Sequence, residues 1–230
     1  MKNSPKDKNK IWNETFSTGA YSLNTPDKLV MEYTKKLQSG ENALDIGCGL
    51  GRHIPILSQK WRKTYALDIS EKAIENAKKY IKNSMVLVSK GNMLYLPFKD
   101  NTFNFILAWR VIHIGTISEC RKTISEIYRV LKPGGRLFAS IRSINNTLYH
   151  LGMKNGEKVE EGSFILKEKG VENAIYHFFA KDEIEREFSK FTIENLNEVE
   201  LEHTSYTAGE KDYKNRTRDV RIVIDNKDYK

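Results

Sequence analysis

The stretch Ala43–His53, ALDIGCGLGRH, decides the fold: an apolar run containing an aspartate ends in three glycines at alternate positions, Gly47, Gly49 and Gly51. An open α/β sheet binds ligands outside the carboxyl ends of its strands, where the strand order reverses, and the loop after the first strand lies there. Glycine lets that loop approach a ligand that a Cβ would push away. A dinucleotide-binding turn spaces its glycines as G-x-G-x-x-G, so that a pyrophosphate meets the next helix's N-terminus. Here the spacing is G-x-G-x-G, with Arg52 in the place of the last glycine. Asp68 ends the next apolar run, TYALDI, where a carboxylate can accept both hydroxyls of a ribose. Asp45, just before the glycines, is placed to form a salt bridge or orient the loop.

Outward from this stretch the chain alternates. Thr25-Pro26-Asp27 reads as an N-cap, a first-turn proline and an acid at the positive end of a helix running to about Leu37. A helix is expected from Arg52 to Gln59, and another over SEKAIENAKKYI, capped by Ser70. MVLVS, FNFILAW and RLFASI are strand-like, with a helix from Ser118 to Leu131 between the last two. Short apolar runs of β type between helices of ten or more residues are the signature of βαβ units and a buried parallel sheet. Leu131-Lys132-Pro133-Gly134-Gly135 reads as a turn into the fifth strand. After a helix near Ala180 to Ser189, FTIENLNEVELEH and DVRIVIDN follow each other without an intervening helix and should pair antiparallel. The expectation is one domain over residues 1–230, a Rossmann-like, doubly wound, seven-stranded α/β sheet closed by an antiparallel C-terminal hairpin. Residues 1–23 form a polar N-terminal extension. Residues 142–179, where periodicity is lost, form an inserted lid over the substrate.

Composition limits the function classes. With 39% hydrophobic and 30% charged residues the chain is of the globular type. Its start, MKNSPKDKNK, has no apolar segment, and runs such as FILAW are too short to cross a bilayer, so no membrane partner is expected. Cys48 and Cys120 are too few for a disulfide framework or a thiolate zinc site, which points to a reducing cytoplasm and to no metal. The net charge of +8 admits an RNA partner, but later lysines alternate with acids, as in EKAIENAKKYIK, which is the pattern of a solvated surface.

ALDIGCGLGRH, YALDIS, GNMLYLPFKDNTFNFILAWRVIH and EIYRVLKPGGRLFASI, in that order, resemble the class I S-adenosylmethionine-dependent methyltransferases, and within them the small-molecule branch related to quinone biosynthesis. The resemblance covers about Asn42 to Ile141. It implies that Asp45, Gly47, Cys48, Gly49 and Gly51 lie along the methionine part of the cofactor, that Asp68 binds the ribose and that Ile69 packs on adenine. It implies that Asn92, standing where relatives carry aspartate, accepts from the adenine amino group, with Met93 offering a backbone N–H. Ala108 and Trp109 would face the methyl end. Relatives often carry paired histidines after the fourth strand; here His113 is followed by Ile114.

Methyl transfer from a sulfonium is an in-line displacement that needs positioning and exclusion of water more than acid–base groups. His113, His177 and Tyr21 are the candidates for a catalytic role. Trp12, Tyr149, His150 and Tyr176 to Phe179 are further candidates for the acceptor pocket. The fourth strand lacks the Asn/Asp-Pro-Pro-aromatic box of enzymes that methylate exocyclic amines, and neither cysteine is placed for cytosine chemistry. A small-molecule acceptor is therefore expected. The alternatives are a tRNA wobble-base methyltransferase and a cofactor-binding module without catalysis.

Overall fold

The computed structural model describes residues 7–18, 25–81, 84–167, 173–201 and 219–229. In chain order these form α1 (Lys8–Ser17), α2 (Lys28–Lys36), β1 (Gly40–Ile46), α3 (Ile54–Ser58), β2 (Trp61–Asp68) and α4 (Glu71–Ala77), which runs into a 3-10 turn. Then come β3 (Val86–Lys90), β4 (Phe103–Trp109), α5 (Ile117–Val130), β5 (Leu131–Arg142), α6 (Thr147–Asn155), β6 (Glu157–Glu160), β7 (Ser163–Ile165) and β8 (Ile175–His177). The chain closes with α7 (Lys181–Glu187), β9 (Phe191–Leu201) and β10 (Asp219–Tyr229).

The main sheet has the order β3-β2-β1-β4-β5-β10-β9. Its first five strands are parallel, while β10 runs antiparallel to both β5 and β9. Strand order reverses between β1 and β4, so the ligand crevice of such a sheet falls at the carboxyl ends of those two strands. Side chains of β4 alternate between two cores: Ile106 and Ala108 pack with α5, and Phe105, Leu107 and Trp109 pack on the face covered by α2. This period of two with both faces buried is what a central parallel strand requires.

Helix boundaries follow from caps. Thr116 and Glu119 bond each other's backbone N–H in a capping box, which starts α5 at Ile117, one residue earlier than the apolar pattern alone suggests. Buried Cys120, Ile124, Ile127 and Val130 then form its apolar stripe. Ser70 caps α4 as expected, its Oγ accepting from Ala73 N at 3.2 Å. The start of α2 differs from expectation: Asp27, rather than Thr25, is the N-cap, accepting from Leu29 N at 3.1 Å. The Lys132–Gly135 stretch is also no simple turn. Phe103 pairs with Leu131 and Phe105 with Arg136, so β5 carries a wide bulge against β4, with Gly134 at φ 71.

Two regions depart further from the sequence reading. The N-terminal extension contains α1, capped by Asp7, where a polar tail was expected. Residues 142–179, which show no clean period in sequence, hold α6 and a separate antiparallel sheet of order β6-β7-β8. Ile11 of α1 joins Leu148, Phe164, Leu166, Tyr176 and Phe178 in one small core, so these two regions pack on each other. Among the described residues no helix is long and apolar enough to cross a membrane.

Candidate active site

The glycine loop leaves β1 at its carboxyl end. Gly47, Gly49 and Gly51 all take left-handed backbone, at φ 65, 52 and 81, which L-residues with a Cβ adopt at a cost. At Gly47 a Cβ would lie 2.5 Å from Val111 Cγ2, so the turn after β4 can close directly over the loop. Gly51 serves a different neighbour: its Cβ would meet Tyr80, Ala77 and Ile54, which places it under α3 and α4 and away from the cleft. The loop is pinned to β2, since Gly47 N and Cys48 N both donate to Leu67 O, at 2.7 and 3.1 Å.

Asp68 ends β2 and holds the same loop. Its Oδ2 accepts from Gly49 N at 2.9 Å and its Oδ1 from Ser70 N at 2.9 Å. Burial pushes this carboxyl upward, against those backbone N–H groups, which favour the charged form. Each oxygen keeps acceptor capacity for a further donor. Asp45 is 1% exposed and its Oδ2 has no hydrogen-bond partner among the described residues. Burial lifts its carboxyl to about 8, with Arg52 lowering it and Asp68 raising it.

The turn after β4 is strained. Arg110 sits at φ 65, its N donating to the buried Ser140 Oγ at 3.0 Å, and non-glycine residues in this region cluster at functional sites. Trp109 Nε1 donates to Asp27 Oδ2 at 3.1 Å, and Arg110 Nη2 lies 3.9 Å from the same oxygen, tying β4 to the start of α2. Further along, His113 Nε2 accepts from Arg142 Nε at 3.3 Å, and Tyr176 stacks on both, 6.2 Å from the His113 ring and 5.1 Å from the guanidinium.

These elements enclose a cleft. Gly47, Gly49, Asp68, Ile69, Asn92, Met93 and Trp109, all named from sequence, line it together with His113, Trp12 and Tyr176. Lys8, Phe16, Arg110, Val111, Ile114 and Arg142 line it as well and were not singled out. Phe16 was legible in principle, one helical turn from Trp12, once Asp7 is read as a cap; Arg110 and Arg142 each end an apolar strand run.

Other residues named from sequence stand elsewhere. Ala108 is wholly buried in the core with α5. Cys48 points into the cluster of Ile54, Ala66 and Ile74, and burial raises its thiol well above the usual range. His177 is held away from the cleft, its Nδ1 2.8 Å from Ser163 Oγ and its Nε2 3.3 Å from Glu183 Oε2. Tyr149 packs edge-on to Phe164 and Phe178. Tyr21 lies outside the described residues. Asn92 Oδ1 accepts from Leu94 N at 2.9 Å, an Asx turn that fixes the amide at the mouth of the cleft.

Residues 44–139 match the family model described as a methyltransferase domain. Over that segment the chain is similar to methyltransferases, and the fold around it is that of an S-adenosylmethionine-dependent methyltransferase structure. The chain is 36% identical over 106 residues to a demethylmenaquinone methyltransferase of Symbiobacterium thermophilum, covering 42% of this chain and 41% of that one. With a demethylmenaquinone methyltransferase of Lactiplantibacillus plantarum it shares 32% identity over 108 residues, 44% of this chain and 45% of the relative. The matched region thus spans less than half the length of these relatives. An S-adenosylmethionine-dependent methyltransferase structure from Methanosarcina mazei superposes with a TM-score of 0.71 at 23% identity, covering 89% of this chain and 99% of that one, and shares the fold.

Proposed function

We propose that this methyltransferase passes the methyl group of S-adenosylmethionine to a small-molecule acceptor by in-line displacement. The observation that supports a small acceptor is the roof of the cleft. Trp12 and Phe16 of α1 and Tyr176 of β8 stand over the carboxyl ends of the central strands. A concave cleft walled mainly by apolar and aromatic side chains with a few polar groups is the usual form of a small-molecule site. Residues 142–179 and α1 would together serve as the lid, with α6 and the small sheet supporting Tyr176.

The donor set at β2 fits the nucleoside end of the cofactor. Asp68 offers acceptor capacity beside Gly49, Ile69 lies next to it in the cleft, and Asn92 and Met93 follow β3. The Gly47–Gly49 backbone would hold the methionine end, with Trp109 and Arg110 at the carboxyl end of β4, while Asp45, buried and outside the cleft lining, would act through the loop. When bound, the cofactor supplies an activated methyl group on positively charged sulfur. The chain's own contribution is to align the acceptor and keep water out, a kind of positioning that can lower a barrier by several kcal/mol. His113 suits a positioning role better than a general base, because the nitrogen that would take a proton already accepts from a guanidinium.

Calorimetry with S-adenosylmethionine tests the reading, with NAD as the contrasting ligand. The expected result is binding of the sulfonium cofactor only, and a loss of at least about tenfold in Asp68→Ala, since a charge-assisted hydrogen bond to the ribose is removed. Equal binding by wild type and variant would sink the placement. A companion titration with tRNA distinguishes the RNA alternative: affinity well tighter than the non-specific range of about 10⁻⁴–10⁻⁶ M at physiological salt would favour it.

A further inference from the structure

Arg142 closes β5 and is 2% exposed, yet it lines the cleft. Its Nε donates to His113 Nε2 at 3.3 Å, and the face of its guanidinium lies 5.1 Å from the Tyr176 ring centroid. An imidazole nitrogen that accepts a hydrogen bond belongs to the neutral ring, and an aromatic face carries no net charge, so neither contact supplies a counter-ion. Among the described residues no carboxylate pairs with this guanidinium. A buried charge left in that state is costly, and such charges occur paired.

The two contacts also orient the group. With Nε and one face occupied, the edge bearing Nη1 and Nη2 remains, and its parallel N–H groups match the two oxygens of a carboxylate. Among the other lining residues Trp12, Phe16, Ile114 and Tyr176 are apolar or aromatic, and Lys8 and Arg110 are cationic. In the strand order β2-β1-β4-β5 the end of β5 stands three strands from Asp68, roughly 14 Å at ~4.8 Å per strand. That is the far end of the cleft from the ribose position.

We propose that the methyl acceptor is an apolar or aromatic carboxylic acid whose carboxylate docks on Arg142, with His113 and Tyr176 holding the guanidinium in place. This inference rests on the methyl-transfer reading of the cleft and names the substrate class within it.

The test is calorimetry on the full chain saturated with S-adenosylhomocysteine, using benzoate and its neutral isostere benzamide as probes. Wild type is expected to bind benzoate at least about tenfold more tightly than benzamide. Arg142→Gln should abolish that preference and Arg142→Lys should retain only part of it, while both variants keep the wild-type affinity for S-adenosylhomocysteine within about threefold. Equal affinity for the two probes, or binding of neither to the cofactor-loaded wild type, overturns the proposal without needing any variant. It is also overturned if Arg142→Gln weakens S-adenosylhomocysteine as much as benzoate, which assigns the guanidinium to the cofactor's own carboxylate. Were the wild type to ignore S-adenosylhomocysteine but still prefer benzoate through Arg142, the carboxylate site would stand and the methyl-transfer reading would fall.

Discussion

Asp45 shows how one buried side chain can tie the cofactor loop to pH. Its carboxyl is lifted to about 8, first by burial, so the folded chain holds a proton there that an unfolded carboxyl, at about 3.9, gives up. Between these two values the folded state binds more protons than the unfolded one, and stability therefore falls as pH rises. The contribution is complete below about pH 4 and is gone once the pH passes about 8. Asp45→Asn keeps the shape and the neutral state at every pH. The expected outcome is that denaturant midpoints of the two proteins agree near pH 4 and that Asp45→Asn becomes progressively the more stable one up to pH 8. Midpoint differences that stayed constant from pH 4 to 8 would refute the buried, protonated state. The acidic position was legible from its place before the glycines, but its protonation was not. Protonation follows first from burial under the folded loop, with Arg52 opposing it and Asp68, brought beside it by β2, favouring it.

At the scale of elements, strands and caps were legible wherever the local pattern carried the information. The alternation in FNFILAW marks β4, and Ser70 marks α4, because each depends on neighbours within a few residues. Thr25 lost the cap of α2 to Asp27 for a non-local reason: Asp27 Oδ2 also accepts from Trp109 Nε1, 82 residues away. The loop from Asn92 to Asp100 is another such case. Arg129 of α5 donates to Leu96 O at 2.9 Å, to Phe98 O at 2.7 Å and to Asp100 Oδ1 at 2.9 Å. Beside it Glu126 Oε2 accepts from Leu96 N at 2.8 Å, and the Arg129 guanidinium, ahead of that backbone N–H, holds the Glu126 carboxyl down at about 2. The pair clips the loop that carries Asn92 and Met93 to the back of α5. Arg129→Met retains the aliphatic stem and removes the donors. It should cost about 2 kcal/mol by urea unfolding and should weaken S-adenosylhomocysteine binding severalfold, since Asn92 and Met93, proposed to face adenine, lose their tether. An undisturbed stability would show that the loop holds its shape without the clip.

Across the whole molecule, the sequence named Trp12, Tyr176 and residues 142–179 as candidates for the cover of the site, but the helix and small sheet that carry them were not legible. Trp12 and Phe16 reach the cleft from α1, and Tyr176 reaches it from β8, roughly 160 residues later in the chain. Neither segment has a strong period of its own, because each buries its apolar side chains mainly against the other: Ile11 packs with Phe164, Leu166, Tyr176 and Phe178. Lys8 adds a half-buried ion pair with Glu119 at 2.6 Å, and Glu160 Oε1 accepts from Ile117 N at 2.6 Å, so both segments are also fastened to the start of α5. Elements that share a small core open together, with a lower free energy than the sheet beneath them. A ligand bound under both should therefore protect both at once. Hydrogen exchange with and without S-adenosylhomocysteine is expected to show coincident slowing in residues 8–17, 163–167 and 173–177, with the same dependence on ligand concentration, while β1 and β4 exchange slowly in either state. Slowing confined to one of the two segments would mean that they move as separate covers, and the shared core around Ile11 would then be too weak to couple them.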